Sequence, residues 1–460
     1  MIYRHDIIPV KQVRTGVRDR LDLEAICVFV TTGFFLDDST YYKGLREHLP
    51  GSVTETDEQG RIIASEPWFK WHYSPRDISF KQALEEFTHL FERIVAEKGD
   101  NGYTIPISGG LDSRTLVAAS RQAGKAFKGY SYAFSGGHDE TSYGEAMARK
   151  LGFEFQSLYV EKGKLWHYIE HIAKRLECYS EFTHPRQFAL HPELSRMGGT
   201  FLLGHWGDVL FDDMGIRDDI PDTELFALLW KKIVKPAGLE LATRLWSAWG
   251  LQGNFEEYLR SELKRLFAQI DIREANPKLR AFKSLNWAPR WTVTNMQVFE
   301  DFGPTLSPYM DNRMCEFICT VPEKWLAGRQ IQIEYLKMRS PELASVTWQN
   351  HQPFNLYNYK WNRLPYNLPY RGIRKLAKML SGKGNIRRNW EIQFLGEDND
   401  EKLRGMLFDN ESFNQLVPGE VTSYFYKKFR GDEAVQASHA VSMLLTLSAF
   451  RKYVDPVTER

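Results

Sequence analysis

Residues 103 to 120 read Tyr103-Thr-Ile-Pro-Ile-Ser-Gly-Gly-Leu-Asp-Ser-Arg-Thr-Leu-Val-Ala-Ala-Ser120, and their interpretation decides the fold. Tyr103 to Ile107 is a short apolar and β-branched run, the pattern of a buried strand. Ser108, Gly109, Gly110, Leu111, Asp112 and Ser113 form a turn, and Thr115 to Ser120 continues as a helix former. Strand, Gly-Gly turn and helix start together make a phosphate cradle. The glycines let the backbone approach an anion, the Ser108 and Ser113 hydroxyls donate, and the helix N-terminus aims its N–H groups at the charge. No Gly-Lys-Ser/Thr follows, so this is not a Walker A loop. A carboxylate beside phosphates is repulsive unless a divalent cation lies between them, which makes Asp112 a candidate Mg2+ ligand. The structural alternative has Asp112 and Ser113 capping the helix after a tight turn.

Bulk properties narrow the class. With 460 residues the chain can bury a large core and hold one main domain and a smaller one. Its 60 Lys and Arg balance 59 Asp and Glu, so no global field points to nucleic acid. Thirteen Trp among 14% aromatic residues suggest an aromatic-rich pocket or interface. The four Cys (27, 178, 315, 319) lack zinc spacing, and Cys315 and Cys319, four apart in a helical pattern, read as core thiols. No signal peptide, membrane-spanning run or lipidation motif is visible, so a reduced, cytoplasmic setting is the expectation.

The hexapeptide Ser108 to Ser113 resembles the PP-loop of the ATP-pyrophosphatase superfamily, and its surroundings resemble the asparagine-synthetase-like branch. The resemblance extends over residues 20 to 355. It implies an α/β fold, a doubly wound parallel sheet of the adenine-nucleotide alpha-hydrolase type with helical insertions and a short degenerate N-terminal region. It also implies ATP and Mg2+ as cofactors: members adenylate a carboxylate, release pyrophosphate, and let a nitrogen nucleophile displace AMP. Members that use an amide begin with a glutaminase domain whose nucleophile is the cysteine after the initiator Met. Here residue 2 is Ile, and the stretch before the loop is too short for a complete glutaminase. Gly33 to Thr40, Tyr42-Lys-Gly44, Leu49-Pro-Gly51, Trp68 and Trp71 resemble the end of that region. The expected organisation is residues 1–75 as an N-terminal region or glutaminase remnant, 76–370 as the synthetase domain with an insertion near 215–285, and 371–460 as a basic, helical extension.

The alternation continues after the loop. Gly129 to Phe134 reads as a second strand, and the resemblance implies that its backbone, at Ala133 and Phe134, joins Ser108, Gly109, Gly110, Asp112 and Ser113 in holding the nucleotide. Asp139 and Glu140 match an acidic pair that opens the next helix in the family; the plain alternative is a first turn favoured by the helix dipole. A third strand follows at Phe153 to Val160 and a fourth at Thr200 to Gly204. Then comes His205-Trp206-Gly207-Asp208-Val209-Leu210-Phe211, where the family carries Ser-Gly-Glu-Gly-x-Asp-Glu-x-Phe. Gly204, Asp208 and Phe211 fit, and Asp208 becomes the second metal carboxylate opposite Asp112. His205 and Val209 replace two glutamates. His205, with an ordinary pKa near 6.5, reads as a base for an incoming amine, a substrate contact or a satisfied histidine at a strand end.

Farther on, Ser307 to Phe317 resembles the family's Pro-Phe-Leu-Asp segment, with Asp311 an N-cap and Cys315, Phe317 and Ile318 on the buried side. Where the family places a lysine that stabilises charge at the reacting carbonyl, this chain has His351 and Gln352. Either the acceptor differs, another cation such as Lys337 substitutes, or the site is impaired. The basic run Arg371, Arg374, Lys375, Lys378, Lys383, Arg387 and Arg388 is either a solvated face or a contact for an acidic substrate or surface. The expected function is an AMP-forming amide ligase acting on a small-molecule carboxylate with ammonia or an amine, its acceptor open between a sugar acid of a surface polysaccharide and a natural product, and its ammonia open to supply by a separate glutaminase. A nucleotide-binding partner protein without catalysis is the alternative, and sulfur transfer to tRNA is disfavoured by neutral charge and the lack of a cysteine pair.

Overall fold

Tyr103–Pro106 is the middle strand of a five-stranded parallel sheet. Across the sheet the strands run Thr305–Leu306, Thr200–Leu202, Tyr103–Pro106, Phe127–Phe134, Phe155–Val160. The computed structural model describes residues 1–99, 102–135, 137, 139–212, 215–373 and 390–456. Tyr103 stands opposite Phe127 on one neighbour and Thr200 on the other. Tyr103, Thr104 and Ile105 are buried in succession, the mark of a strand covered on both faces.

The connections place the site. Helices Asp112–Gln122 and Thr141–Leu151 carry the chain to one side of the middle strand. It returns through Ile169–Leu176 and His191–Met197 to lay Thr200–Leu202 on the other side. Right-handed crossovers in opposite directions put the two sets of helices on opposite faces, so the sheet is doubly wound. They also create a switch point between Tyr103–Pro106 and Thr200–Leu202, where open parallel sheets receive ligands.

Helix Phe80–Ala96 follows the amphipathic pattern of its sequence, opened by a capping box between Ser79 and Gln82. Phe87 and Phe91 are fully buried, whereas Phe80 and Leu84 are partly exposed. Residues 215–285 contain helices Asp222–Ile233, Pro236–Ala248, Phe255–Ala268 and Ala275–Phe282. Asp311 caps helix Asn312–Thr320 by accepting from the Arg313 N–H at 3.0 Å, and all four cysteines are buried and free. Among the described residues no helix is long and apolar enough to cross a membrane.

Residues 1–75 brace the larger body. Ala25 to Thr32 of helix Leu23–Thr32 are all buried, and a Cβ at Gly238 would lie 2.5 Å from the Val30 carbonyl oxygen, so helix Pro236–Ala248 rests directly on this backbone. Tyr41 stacks on Phe450 with centroids 3.9 Å apart. Three contacts converge on the π-helical stretch Lys283–Thr292 and its continuation: Phe34 stacks on Trp287 at 5.6 Å, Gln12 donates to the Thr294 hydroxyl at 2.8 Å, and Arg290 pairs with Glu47. Glu47 and Arg290 are 3% and 4% exposed at the side chain, and Arg14 also reaches Glu47, at 2.9 Å. Glu47→Ala strands a buried guanidinium, and breaking such a pair costs about 3 kcal/mol or more. A lowered unfolding temperature by calorimetry is the expected result, with Lys81→Ala, 84% exposed at the side chain, as the unaffected control.

Candidate active site

The turn after Tyr103–Pro106 is closed by its own serines. The Ser108 N–H donates to Ser113 Oγ at 3.0 Å, and the Gly110 N–H donates to Ser108 Oγ at 3.3 Å. A Cβ at Gly109 would meet Gln349 Cβ at 2.7 Å and the Tyr143 ring at 2.8 Å, so only glycine fits there. Helix Asp112–Gln122 begins without a side-chain cap. The capping alternative for Asp112 and Ser113 is therefore not what the fold uses, and the first-turn N–H groups keep their anion-binding capacity. From behind, the fully buried Arg114 donates to the carbonyls of Leu343 (3.1 Å), Val346 (2.9 Å) and Thr347 (3.0 Å). The Gln349 N–H donates to the Gly109 carbonyl at 3.2 Å, so segment 343–349 clamps the loop.

Two glycines bring the second strand end against the first. A Cβ at Gly204 would lie 3.2 Å from Asp112 Cβ, and one at Gly207 would lie 2.1 Å from Asp112 Oδ1. Trp206 between them takes a left-handed conformation at φ 78°, which turns the chain so that Asp208 enters the same cavity as Asp112. Asp112 Oδ1 pairs with Arg329 and accepts from Gln332 Nε2 at 2.9 Å. Gln332 also donates to the Tyr309 hydroxyl at 2.9 Å, and Arg329 Nε donates to Gln332 Oε1 at 2.8 Å. Arg329 is held in the left-handed region at φ 61°. Such strain at a charged residue is a cost that functional positions bear. Burial pushes Asp112 up to about 6, with Arg329 opposing and the neighbouring Asp208 charge reinforcing the rise. Among the described residues no cluster of three or more His, Cys, Asp or Glu forms a closed metal cage. Two carboxylates from separate strand ends suit Mg2+, which keeps the rest of its shell for water and phosphate.

The cavity over these groups measures about 680 Å3. Ser108, Asp112, Ser113, Gly204, His205 and Asp208 share its lining, so the structure brings most of the expected site together. The strand wall is formed one step earlier along the strand than Ala133 and Phe134. Ala133 and Phe134 are 2% and 3% exposed, and Phe134 packs under Trp390 (4.4 Å) and Phe394 (5.2 Å). The residues that line the cavity from this strand are Tyr130, Ser131 and Tyr132, because its last turn is roofed by the Trp390 helix. Glu140 lines the cavity, whereas Asp139 accepts from the Thr141 N–H at 2.8 Å and starts the next helix. Arg186 stands over Trp390 at 4.2 Å, donates to Tyr132 at 3.1 Å and leaves a buried amino group without a partner among the described residues.

His205 lies at the cavity with its Nδ1 buried and without a partner among the described residues. Burial lowers its pKa to about 4, so the ring is neutral at pH 7 and a much weaker base than an ordinary imidazole near 6.5 would be. The other wall is Trp206, Lys283, Trp287 and Trp291. Neither His351 nor Gln352 lines the cavity; His351 packs on Trp348 at 4.2 Å. Lys337 pairs with Glu334 at 2.8 Å, away from the cavity, and does not supply the missing charge. Of the basic run, Arg371 is exposed and the members from Arg374 to Arg388 lie outside the described residues. Lys283, Trp287, Trp390 and Arg329 belong to the site without having been marked by the sequence. A lysine and two tryptophans at positions 283, 287 and 291 were the available signal, a one-sided repeat in a helical stretch.

Residues 86–301 match the family model for asparagine synthase. No curated protein matches the chain. That stretch is an asparagine-synthetase-like synthetase domain, and the match spans both the loop with Asp112 and the turn with Asp208. The family is one of ATP-dependent amide ligases that join a carboxylate substrate to ammonia or an amine.

Proposed function

We propose that this protein is an AMP- and pyrophosphate-forming ligase that adenylates a carboxylate on a ring-bearing acceptor and transfers the acyl group to ammonia or an amine. The observation that carries the reading is the meeting of Asp112 and Asp208, from two strand ends, beside the uncapped start of helix Asp112–Gln122. Ser108, Ser113 and the loop backbone would hold the phosphates, Tyr130 to Tyr132 would flank the base, and Asp112 and Asp208 would hold Mg2+, which neutralises charge on the departing pyrophosphate. An acceptor carboxylate oxygen attacks the α-phosphorus, forming one P–O bond as the bond to the β-phosphate oxygen breaks. The nitrogen then adds to the acyl carbon, the C–O bond to AMP breaks with its electron pair, and a proton leaves the nitrogen. His205 lines the same cavity and, neutral there, would act towards that nitrogen as a contact rather than as a strong base. Walls of Trp206, Trp287 and Trp291 favour a ring that can lay an apolar C–H face on an indole, such as a sugar acid, over a small amino acid.

The test is pyrophosphate and AMP release from ATP and Mg2+ with ammonia, across amino acids, uronic acids and nucleotide-linked uronic acids. Release with one ring-bearing class, in equal amounts of the two products, is the expected result. ATP binding without release on any carboxylate would move the assignment to a nucleotide-binding partner protein.

A further inference from the structure

We infer that Lys283 is the acceptor-site cation, binding the substrate carboxylate and then the oxyanion on its carbonyl carbon; this rests on the ligase reading. Three observations converge on it. Lys283 opens the π-helical stretch Lys283–Thr292, and residues 283, 287 and 291 of that stretch all line the cavity that holds Asp112 and Asp208. π-Helical turns are rare and concentrate at functional sites. Its ammonium lies 5.6 Å from the Trp206 ring centroid and 5.5 Å from that of Trp287, a berth between two indoles. It makes no hydrogen bond or ion pair among the described residues, although it is largely enclosed.

An enclosed ammonium without an anion is costly, and a carboxylate entering beside it recovers that cost. Burial lowers the Lys283 pKa to about 8, with Asp208 pulling the other way, so it is still protonated at pH 7. The two indoles fix the charge without neutralising it, which an Asp or Glu partner would do. During acyl transfer the nitrogen adds to the acyl carbon and the carbonyl π pair moves onto oxygen, where the ammonium stabilises it. The pair returns as the bond to AMP breaks. The positive charge absent from the His351 and Gln352 region thus comes from a different element, one secured to the N-terminal brace through Arg290 and Phe34.

The experiment compares wild type, Lys283→Met and Lys283→Arg for binding of a non-hydrolysable ATP analogue with Mg2+, and then of the carboxylate panel on the analogue-loaded protein. Tryptophan emission is the readout, since Trp206 and Trp287 flank the site. Lys283→Met is expected to bind the analogue as wild type does, which shows that it is folded, and to bind the carboxylate roughly 100-fold more weakly. Lys283→Arg should recover much of that loss. Equal carboxylate affinity in wild type and Lys283→Met overturns the assignment, and so does a wild type that binds the analogue but no carboxylate of the panel. A wild type that binds no nucleotide overturns the ligase reading itself, and the assignment falls with it.

Discussion

Asp208→Asn is expected to abolish ATP-dependent pyrophosphate release, by at least about 1000-fold, while leaving the protein as stable as wild type. Metal-held charge stabilisation is worth several kcal/mol, and each 1.36 kcal/mol is tenfold in rate. Asparagine keeps the size of the side chain and removes the charge that would share the cation. Asp208 is exposed at the cavity rather than packed, so the fold has little to lose. Asp112→Asn should behave differently. Asp112 is 21% exposed at the side chain and pairs with the 9% exposed Arg329, so its loss leaves a buried guanidinium without its partner and lowers stability as well as activity. Calorimetry beside the pyrophosphate assay separates the two. An Asp208→Asn variant within tenfold of wild type would remove Asp208 from the metal site.

The loop and the carboxylate pair were legible because both are local. Six consecutive residues around Gly109 and Gly110, between an apolar run and a helix former, admit few backbone paths, and the Gly204 to Phe211 spacing behaves likewise. The alternating strands and helices fix the parallel sheet for the same reason. What escaped the sequence is set by tertiary packing. Arg329 reaches Asp112 across 217 positions. Lys283, Trp287 and Trp291 repeat every four residues along the π-helical stretch, but that spacing does not say that their shared face meets the cavity rather than the core. Ala133 and Phe134 lie under Trp390 and Phe394, and that roof comes from a distant helix that carried no recognisable motif. His205 lines the cavity, and its environment, not its identity, sets its basicity.

Gly207→Ala should cost roughly 100-fold or more in activity through a single methyl group. Gly207 opens the short helix Gly207–Leu210, and in an isolated helix alanine would be favoured over glycine by about 1 kcal/mol. Here the new Cβ would fall 2.1 Å from Asp112 Oδ1 and 3.0 Å from the Tyr309 ring. Asp112 cannot yield easily, because Arg329 and Gln332 hold the same oxygen and Tyr309 backs the start of its helix. Either the Asp208 turn lifts away from the loop or Asp112 leaves its partners, and both separate the two carboxylates. A displacement near 1 Å at reacting groups costs about 100-fold. Gly419→Ala, also at the first turn of a helix but with nothing within 4 Å of its Cβ, is the matched control and should leave pyrophosphate release unchanged. Wild-type turnover in Gly207→Ala would mean that the two strand ends do not need this close approach, and the distance between Asp112 and Asp208 would no longer support a shared cation.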